Sequence, residues 1–227
     1  MKEDKELLDL RNEDGSLTGE KKERALVHRD GDLHGTSHVW LVRYRKEQGS
    51  AEVLLQKRSA RKDSFPGCYD ISSAGHIPAG QNFLESAVRE LEEELGIRVK
   101  PEELKEVFVH RGYAKEVFYG KPFINHEYSK VYLCERDLRP EEMKLQKEEV
   151  ESVLWMDYRA VLDGIRNATL KHCIFEEEYE KLTAAIEDYF AGTGRPLNCA
   201  SRRETWAEDA QNDLQDWIEE QGIYIRQ

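Results

Sequence analysis

The chain has 227 residues, of which 39% are hydrophobic, enough for one core domain with an additional segment. Its formal net charge of −12 would repel the phosphate backbone of nucleic acids, so general nucleic-acid binding is disfavoured. The same charge would repel a phosphorylated small molecule unless a cation offset the repulsion. For a substrate of that kind we therefore expect Mg²⁺, or the related Mn²⁺, to take part in binding.

The cysteines and the hydropathy pattern exclude several other classes of protein. Cys68, Cys134, Cys173 and Cys199 lie far apart and form no CxxC pair, so neither a zinc ribbon nor a disulfide framework is indicated. No apolar segment resembles a signal peptide, and none approaches the length of a membrane span. We therefore expect a cytoplasmic protein that does not enter a membrane.

The first predicted elements are β-strands. Residues 7–10 and 17–18 predict an N-terminal β-hairpin with Asp14-Gly15 in its turn. Two further strands are predicted at residues 38–42 and 53–57, on either side of a polar turn. A short extended stretch over residues 69–74 then leads into Gly75.

The helix predicted over residues 82–95 has a signal at each end, since Asn82 is a good N-cap and Gly96 a good stop. One face is apolar and consists of Leu84, Val88, Leu91 and Leu95. A second face carries three carboxylates, those of Glu90, Glu93 and Glu94. Like charges at this spacing destabilise a helix by roughly 0.2–0.5 kcal/mol per pair, and a bound Mg²⁺ would relieve that repulsion.

A solvated acidic face is the alternative interpretation of these carboxylates. Two neighbouring features favour a metal site instead. Arg89 can brace a carboxylate through two hydrogen bonds. Gly75 and Gly80 permit backbone conformations that bring carbonyl oxygens close to an ion.

The C-terminal half mixes strands and helices without a regular alternation. Strands are predicted at 106–110, 128–134 and 150–156, helices at 157–165 and 174–190, and another amphipathic stripe at 206–218. The predicted fold class is α/β of the α+β type, with a mixed β-sheet sandwiched between helices and extra C-terminal helices. Residues 1–170 are expected to form the main domain, and residues 171–227 a helical extension packed on it.

Residues 75–97 resemble the Nudix box, in which Gly, five residues, Glu and seven residues precede Arg-Glu-apolar-x-Glu-Glu-x-Gly-apolar. This chain has Gly75, Gln81 in place of the usual Glu, and then Arg89-Glu90-Leu91-Glu92-Glu93-Glu94-Leu95-Gly96-Ile97. The resemblance implies a Nudix fold and metal ligation by Glu90 and Glu94. It also implies that Glu93 is a further ligand or orients water, that Arg89 orients the set, and that the Gly75 carbonyl contributes.

A second resemblance, over roughly residues 5–160, is to Nudix enzymes related to isopentenyl-diphosphate isomerase. In the true isomerases, histidines at positions like His28, His34 and His76 bind a metal, together with acidic residues at positions like Asn125 and Glu127. An essential cysteine precedes the Gly-His pair, and this chain has Ala74 there. The chain therefore resembles the hydrolase branch of that relationship.

Residues outside the box have two interpretations each. His28, His34, His38 and His76 could form a metal site, but structural or substrate-contacting roles are favoured, with His76 assigned to the substrate. Glu127 is a candidate ligand or general base, or else an exposed loop residue. Arg58 is a candidate for binding a diphosphate, or else it offsets the acidic surface.

The predicted activity is metal-dependent hydrolysis of a diphosphate linkage in a small phosphorylated metabolite, such as a nucleoside diphosphate derivative. Glu93 or Glu127 would position or deprotonate the attacking water. An isopentenyl-diphosphate isomerase-like enzyme and a non-catalytic diphosphate-binding module are the two alternatives. The substrate, the role of the C-terminal helices and the existence of a homodimer stay open.

Overall fold

The structure is a computed structural model and describes residues 6–198. The strands are β1 (Leu7–Arg11), β2 (Leu17–Glu23), β3 (His34–Arg45), β4 (Ser50–Arg58), β5 (Tyr69–Asp70), β6 (Ser73–His76), β7 (Lys105–Phe118), β8 (Lys121–Glu135) and β9 (Val150–Asp157). The helices are α1 (Arg24–Asp30), α2 (Phe83–Leu95), α3 (Tyr158–Arg166) and α4 (Glu176–Gly192), with short 3₁₀ turns at Pro101–Glu103 and Pro140–Glu142.

The strands join a mixed sheet whose central strand is β3. β8 runs parallel to β3, from the pair His34↔Glu127 to the pair Val42↔Glu135. β4 and β6 both pair with β3 in the antiparallel direction. β7 pairs with β8, and β9 pairs with β4. Within residues 6–198, β6 pairs with β3 alone, so its other edge is free. The predicted mixed sheet is confirmed.

Helices cover both faces of this sheet. Side chains alternate between the two faces along each strand, so each face presents apolar residues that a helix can bury. The face under α2 buries Val39, Leu41, Leu54, Ala87, Leu91 and Leu95. The opposite face, under α3 and α4, buries Trp40, Val42, Val53, Leu55, Val161, Tyr179, Leu182, Ile186 and Phe190. The predicted sandwich of sheet and helices is therefore confirmed as well.

Both predicted end signals of α2 are used. The Asn82 side chain accepts a hydrogen bond from the Glu85 amide at 2.9 Å, which caps the first turn. Gly96 ends the helix with a φ of 68°, a conformation that glycine adopts at little cost. A Cβ at this position would also lie 2.7 Å from the Cβ of Lys144. Local sequence therefore fixes where this helix begins and ends.

The structure departs from the predicted elements in two places. β7 and β8 continue past the predicted strands at 106–110 and 128–134 and form a long hairpin arm. Side chains on both faces of the outer part of this arm are exposed or half-buried, so the alternating pattern that marks a strand is missing there. Helix α1 was not predicted, since seven residues are too few for a clear apolar stripe. The stripe predicted at 206–218 lies outside the described residues.

Helix α4 contributes a substantial part of the core beneath the sheet. Tyr179, Leu182, Ile186 and Phe190 are fully buried against strand residues such as Trp40. The helix predicted over 174–190 is confirmed with a shift of two residues at each end. No helix in the described part of the chain is both long and apolar enough to cross a membrane.

We expect Leu182→Ala to lower the free energy of unfolding by about 2–5 kcal/mol, because it leaves a cavity in a fully buried site. Lys181→Ala, at the exposed neighbouring position, is the matched control and should change stability by less than about 0.5 kcal/mol. Urea denaturation followed by circular dichroism measures both. Equal stability of Leu182→Ala and the wild type would contradict the packing of α4 in the core.

Candidate functional site

The first candidate centre lies where α2 packs against β6. A Cβ built on Gly75 would lie 2.3 Å from the carboxyl carbon of Glu90, so only glycine lets this carboxylate approach the strand. Glu94, one turn further along α2, is 7% exposed. Its Oε2 atom has no hydrogen-bond partner among residues 6–198. The fold thus brings Gly75, Glu90 and Glu94 together.

The environment of these two carboxyls suits a divalent cation. Burial raises the pKa of Glu94 to about 8, and the negative charge of Glu90 adds to the shift. Burial also raises the pKa of Glu90, although Arg89 opposes it. A buried carboxylate with an unused oxygen is costly unless a proton or a cation satisfies it. Hard divalent ions prefer carboxylate and carbonyl oxygens, so the residues present fit such an ion.

Arg89 joins two of the predicted carboxylates. Its Nη2 lies 2.7 Å from Oε1 of Glu90, and its Nη1 donates to Oε2 of Glu93 at 2.7 Å. The Glu93 side chain is 53% exposed, so it lies at the rim of the centre while Glu94 is buried. Arg89 therefore holds Glu90 and Glu93 in fixed positions, as an orienting residue would. The ligand role of Glu93 stays a prediction.

The second candidate centre is a cluster of three histidines from three different elements. His28 lies on α1, His34 begins β3 and His76 ends β6, and one ring nitrogen from each lies within 4.8 Å of the others. The Nε2 atoms of His28 and His76 are 3.0 Å apart. His38 does not belong to this cluster, so only three of the four histidines considered from the sequence come together.

The protonation of these histidines favours ligation of a cation. Burial lowers the pKa of His28 to about 4 and that of His34 to about 3, and it lowers the pKa of His76 as well. The positive charge of Arg24 adds to each shift. All three rings are then neutral at pH 7, the form in which imidazole binds metals.

The Nδ1 atoms of two of these rings face backbone carbonyl oxygens, which leaves the Nε2 atoms available to bind a metal ion. His34 Nδ1 lies 3.0 Å from the carbonyl of Asp32, and His28 Nδ1 lies 3.4 Å from that of Ile124. Donation to these carbonyls leaves the lone pairs on Nε2. The Nε2 of His34 has no partner in the described part of the chain. The cluster could therefore hold a metal ion.

Glu127 lies near His38. The structure places it on β8 at 7% exposure, which excludes the interpretation as an exposed loop residue. Its Oε2 is 3.8 Å from Nε2 of His38. The Nδ1 of His38 is 2.9 Å from Oε2 of Glu178, a fully buried residue of α4 that the sequence analysis did not single out.

The loop between β4 and β5 brings basic residues toward the site. Arg58 donates to Asp70 at 2.8 Å and to the Ser64 carbonyl at 2.9 Å, and these contacts hold the loop in place. Its predicted diphosphate-binding role stays a prediction. Lys62 forms an ion pair with Glu149, and its positive charge also acts on Glu94 and His76. Lys62 is therefore the basic residue of this loop that is electrostatically linked to both candidate centres.

The two candidate centres lie on opposite faces of β6. Gly75 faces α2 and Glu90. His76 is the strand partner of Thr36, and its side chain lies on the opposite face, the face that also carries Thr36 and His38. Because one edge of β6 is free, a ligand at that edge could contact residues of both faces.

Aromatic rings line the approach to the histidine cluster. Phe123 stacks on His28 with ring centroids 4.5 Å apart, and Phe118 lies 5.5 Å from Phe123. Phe65, on the loop that carries Lys62, lies 4.9 Å from Phe118. The tip of the β7–β8 arm thus places an apolar surface beside polar groups, a combination that suits an organic group attached to a phosphate.

Two residues whose roles depend on distant contacts were not predicted from the sequence. Glu178 occupies the first turn of a helix, where acidic residues are common, so its position there does not indicate burial. Asp70 lies in a short strand, and its charge acts on Glu94, Glu127 and His38. An acidic residue within an otherwise apolar helical face is the sequence signal that could have identified Glu178.

Comparison with known proteins bears on the family and the fold of this chain. A family model described as the NUDIX domain matches residues 34–174. Nudix hydrolase 3 of Arabidopsis thaliana is 45% identical over 157 residues, which are 67% of this chain but only 19% of the plant protein. A Nudix hydrolase of Clostridium acetobutylicum is 39% identical over 147 residues, 65% of this chain and 68% of that protein. A crystal structure from Deinococcus radiodurans shares the fold, with a TM-score of 0.57, 19% identity, and coverage of 78% of this chain and 98% of that one.

The raised pKa of Glu94 predicts a pH-dependent stability of the metal-free protein. Because the pKa in the folded state, about 8, lies above the ordinary value, Glu94 favours folding at low pH. That contribution is lost as the pH rises through about 8. In EDTA, the wild type should therefore lose stability relative to Glu94→Gln between about pH 5 and about pH 8.5.

Mg²⁺ should reverse this loss at the higher pH. At a concentration 100 times its dissociation constant it would stabilise the wild type by about 2.7 kcal/mol, which raises the melting temperature by roughly 5–10 °C. Differential scanning fluorimetry of both proteins, with EDTA or Mg²⁺, measures the effect. Parallel pH profiles of the wild type and Glu94→Gln in EDTA would show that Glu94 is not the group responsible.

Proposed function

The chain belongs to the Nudix family, and on this premise we propose that it is a divalent-metal-dependent pyrophosphohydrolase acting on a small phosphorylated metabolite. The observation that carries the proposal is the pair of carboxylates on α2, in which Glu94 is buried and the half-buried Glu90 is held against Gly75. The burial of Glu94 is unfavourable without a proton or a cation, and a cation there would neutralise a bound diphosphate.

Each residue of the centre has a defined role in this proposal. Glu90 and Glu94 bind the ion, with the Gly75 carbonyl as a further ligand. The ion, when bound, neutralises phosphate oxygens and lowers the pKa of a water molecule. Arg89 fixes the orientation of Glu90 through their 2.7 Å contact. Either Glu93, at the rim, or Glu127, on β8 at the other side of β3 from β6, accepts the proton of the attacking water.

The substrate site extends along the free edge of β6 in this proposal. Lys62 and His76 contact the phosphates, since the charge of Lys62 acts at both candidate centres. The rings of Phe65, Phe118 and Phe123 contact the organic group, which a nucleoside would satisfy by stacking. A cytoplasmic location and a homodimer stay predictions.

A second candidate function is an isopentenyl-diphosphate isomerase-like reaction. The cluster of His28, His34 and His76 favours it, because these positions resemble the metal site of those enzymes. Ala74 disfavours it, because the position that would carry the reactive thiol has a methyl group. Incorporation of deuterium from solvent into isopentenyl diphosphate without release of phosphate would support the isomerase and contradict the hydrolase.

We expect Glu94→Gln to lower kcat by about 100-fold or more, because it removes a charge that holds the cation against the reacting phosphate. Glu92→Gln is the matched control on the same helix, since the exposed Glu92 pairs with Arg98 and should leave kcat unchanged. Cleavage of a panel of diphosphates into phosphomonoesters, read as the phosphate that added alkaline phosphatase then releases from them, measures both variants with Mg²⁺ and with Mn²⁺. Near-normal turnover by Glu94→Gln would sink the proposal.

A further inference from the structure

Helix α4 places a carboxylate inside the core of the sheet. Glu178 is 0% exposed, and both of its oxygens have partners. Oε1 accepts a hydrogen bond from the Trp40 indole N–H at 3.1 Å, and Oε2 lies 2.9 Å from Nδ1 of His38. His110 lies further off, with its Nε2 3.9 Å from Oε2.

His38 connects this buried carboxylate to Glu127. Its ring nitrogens point in two directions, Nδ1 to Glu178 and Nε2 toward Thr36 Oγ1 at 3.3 Å and Glu127 Oε2 at 3.8 Å. The ring is 4% exposed, so these contacts are shielded from bulk solvent. Glu178, His38 and Glu127 thus form a continuous chain from α4, across β3, to β8.

The charges of Glu178, His38 and Glu127 stabilise one another. Burial alone would lower the pKa of His38, but Glu178 and Glu127 outweigh burial and raise it to about 9. Burial would raise the pKa of Glu178, but the charge and hydrogen bond of His38 lower it. An imidazolium between two carboxylates is therefore the favoured state at pH 7. Its positive charge also opposes the burial that raises the pKa of Glu127.

Anchoring of α4 does not require these charges. Tyr179, Leu182, Ile186 and Phe190 already bury one side of the helix. An apolar residue in place of a buried ion pair is often neutral or stabilising. The buried pair of Glu178 and His38 is therefore not needed to hold α4 in place, and its geometry suits a role other than stability.

We propose that Glu178 and His38 are positioning residues of the hydrolytic reaction, in which Glu178 fixes the His38 ring and His38 holds the Glu127 carboxylate in place. This inference rests on the proposed function, with Glu127 as the residue that accepts the proton of water. Helix α4 then affects the reaction through His38 and Glu127, although no residue of that helix need touch the substrate. The effect of Glu178 on turnover is therefore expected to pass through Glu127.

The test is a double-mutant cycle with Glu178→Gln and Glu127→Gln. Glutamine keeps the shape and an oxygen that accepts from Trp40. It removes the charge and places an amide NH2 group where Oε2 accepts from His38 Nδ1. On the substrate with the highest turnover, Glu178→Gln should lower kcat about 10-fold, as for other outer residues that orient a reacting group. KM should stay within about twofold. In the Glu127→Gln background the same substitution should change kcat by less than about twofold.

Two further variants separate positioning from stability. Tyr179→Phe removes the hydrogen bond from the neighbouring Tyr179 hydroxyl to the Tyr158 carbonyl, so it should lower the melting temperature and leave kcat unchanged. His38→Asn keeps a polar group near the Nδ1 position and removes Nε2, which faces Glu127. His38→Asn should lower kcat about as much as Glu178→Gln does. If Glu178→Gln does not fold, His38→Asn takes its place in the double-mutant cycle.

The outcomes distinguish this inference from the proposed function. A folded Glu178→Gln with wild-type kcat, or an equal loss in both backgrounds, overturns the positioning role. Wild-type turnover by Glu127→Gln overturns it too, while an inactive Glu94→Gln still supports the hydrolase. A wild-type protein that cleaves no diphosphate of the panel into phosphomonoesters overturns both proposals.

Discussion

The burial of the Glu94 carboxyl beside Glu90 is the constraint on which the candidate site depends, because it holds a carboxyl whose Oε2 has no hydrogen-bond partner among residues 6–198 close to a second acidic group. Leu91 and Leu95 on the apolar face of α2 are fully buried, and burial of each such side chain contributes about 1.5–3 kcal/mol. This packing fixes the helix on the sheet whether or not a cation is present. The carboxyls are therefore held in place before any ligand binds, and a cation enters a site that needs little rearrangement.

β6 is short, but it positions both candidate centres. Its pairing with β3 alternates side chains between the two faces, so Gly75 lies under α2 and His76 lies among the histidines. The absence of a side chain at Gly75 is what admits Glu90. The free edge of the strand then allows one ligand to reach both faces. A substrate with a charged diphosphate and an organic group matches this arrangement, because the edge carries metal-binding groups and aromatic rings together.

Helix α4 belongs to the same core as the sheet and also enters its polar interior. The contact of Glu178 with His38 joins residues 140 positions apart and places a buried carboxylate beside a ring whose other nitrogen faces Glu127. A C-terminal segment that packed only through apolar side chains would stabilise the fold without affecting the chemistry. In the proposed function, the position of α4 would also set the environment of Glu127.

The sequence by itself determined helix α2, both of its ends and the residues of the acidic centre. Its caps, its apolar spacing and its carboxylates are all read within one segment of about 23 residues, and local interactions decide such features. It also indicated the mixed sheet and most of its strands. The tertiary structure alone decided that three histidines converge without His38, that Arg58 is held by Asp70 and Ser64, and that Glu178 is buried. These contacts join different elements, and the packing of the elements, which no local pattern encodes, brings them together.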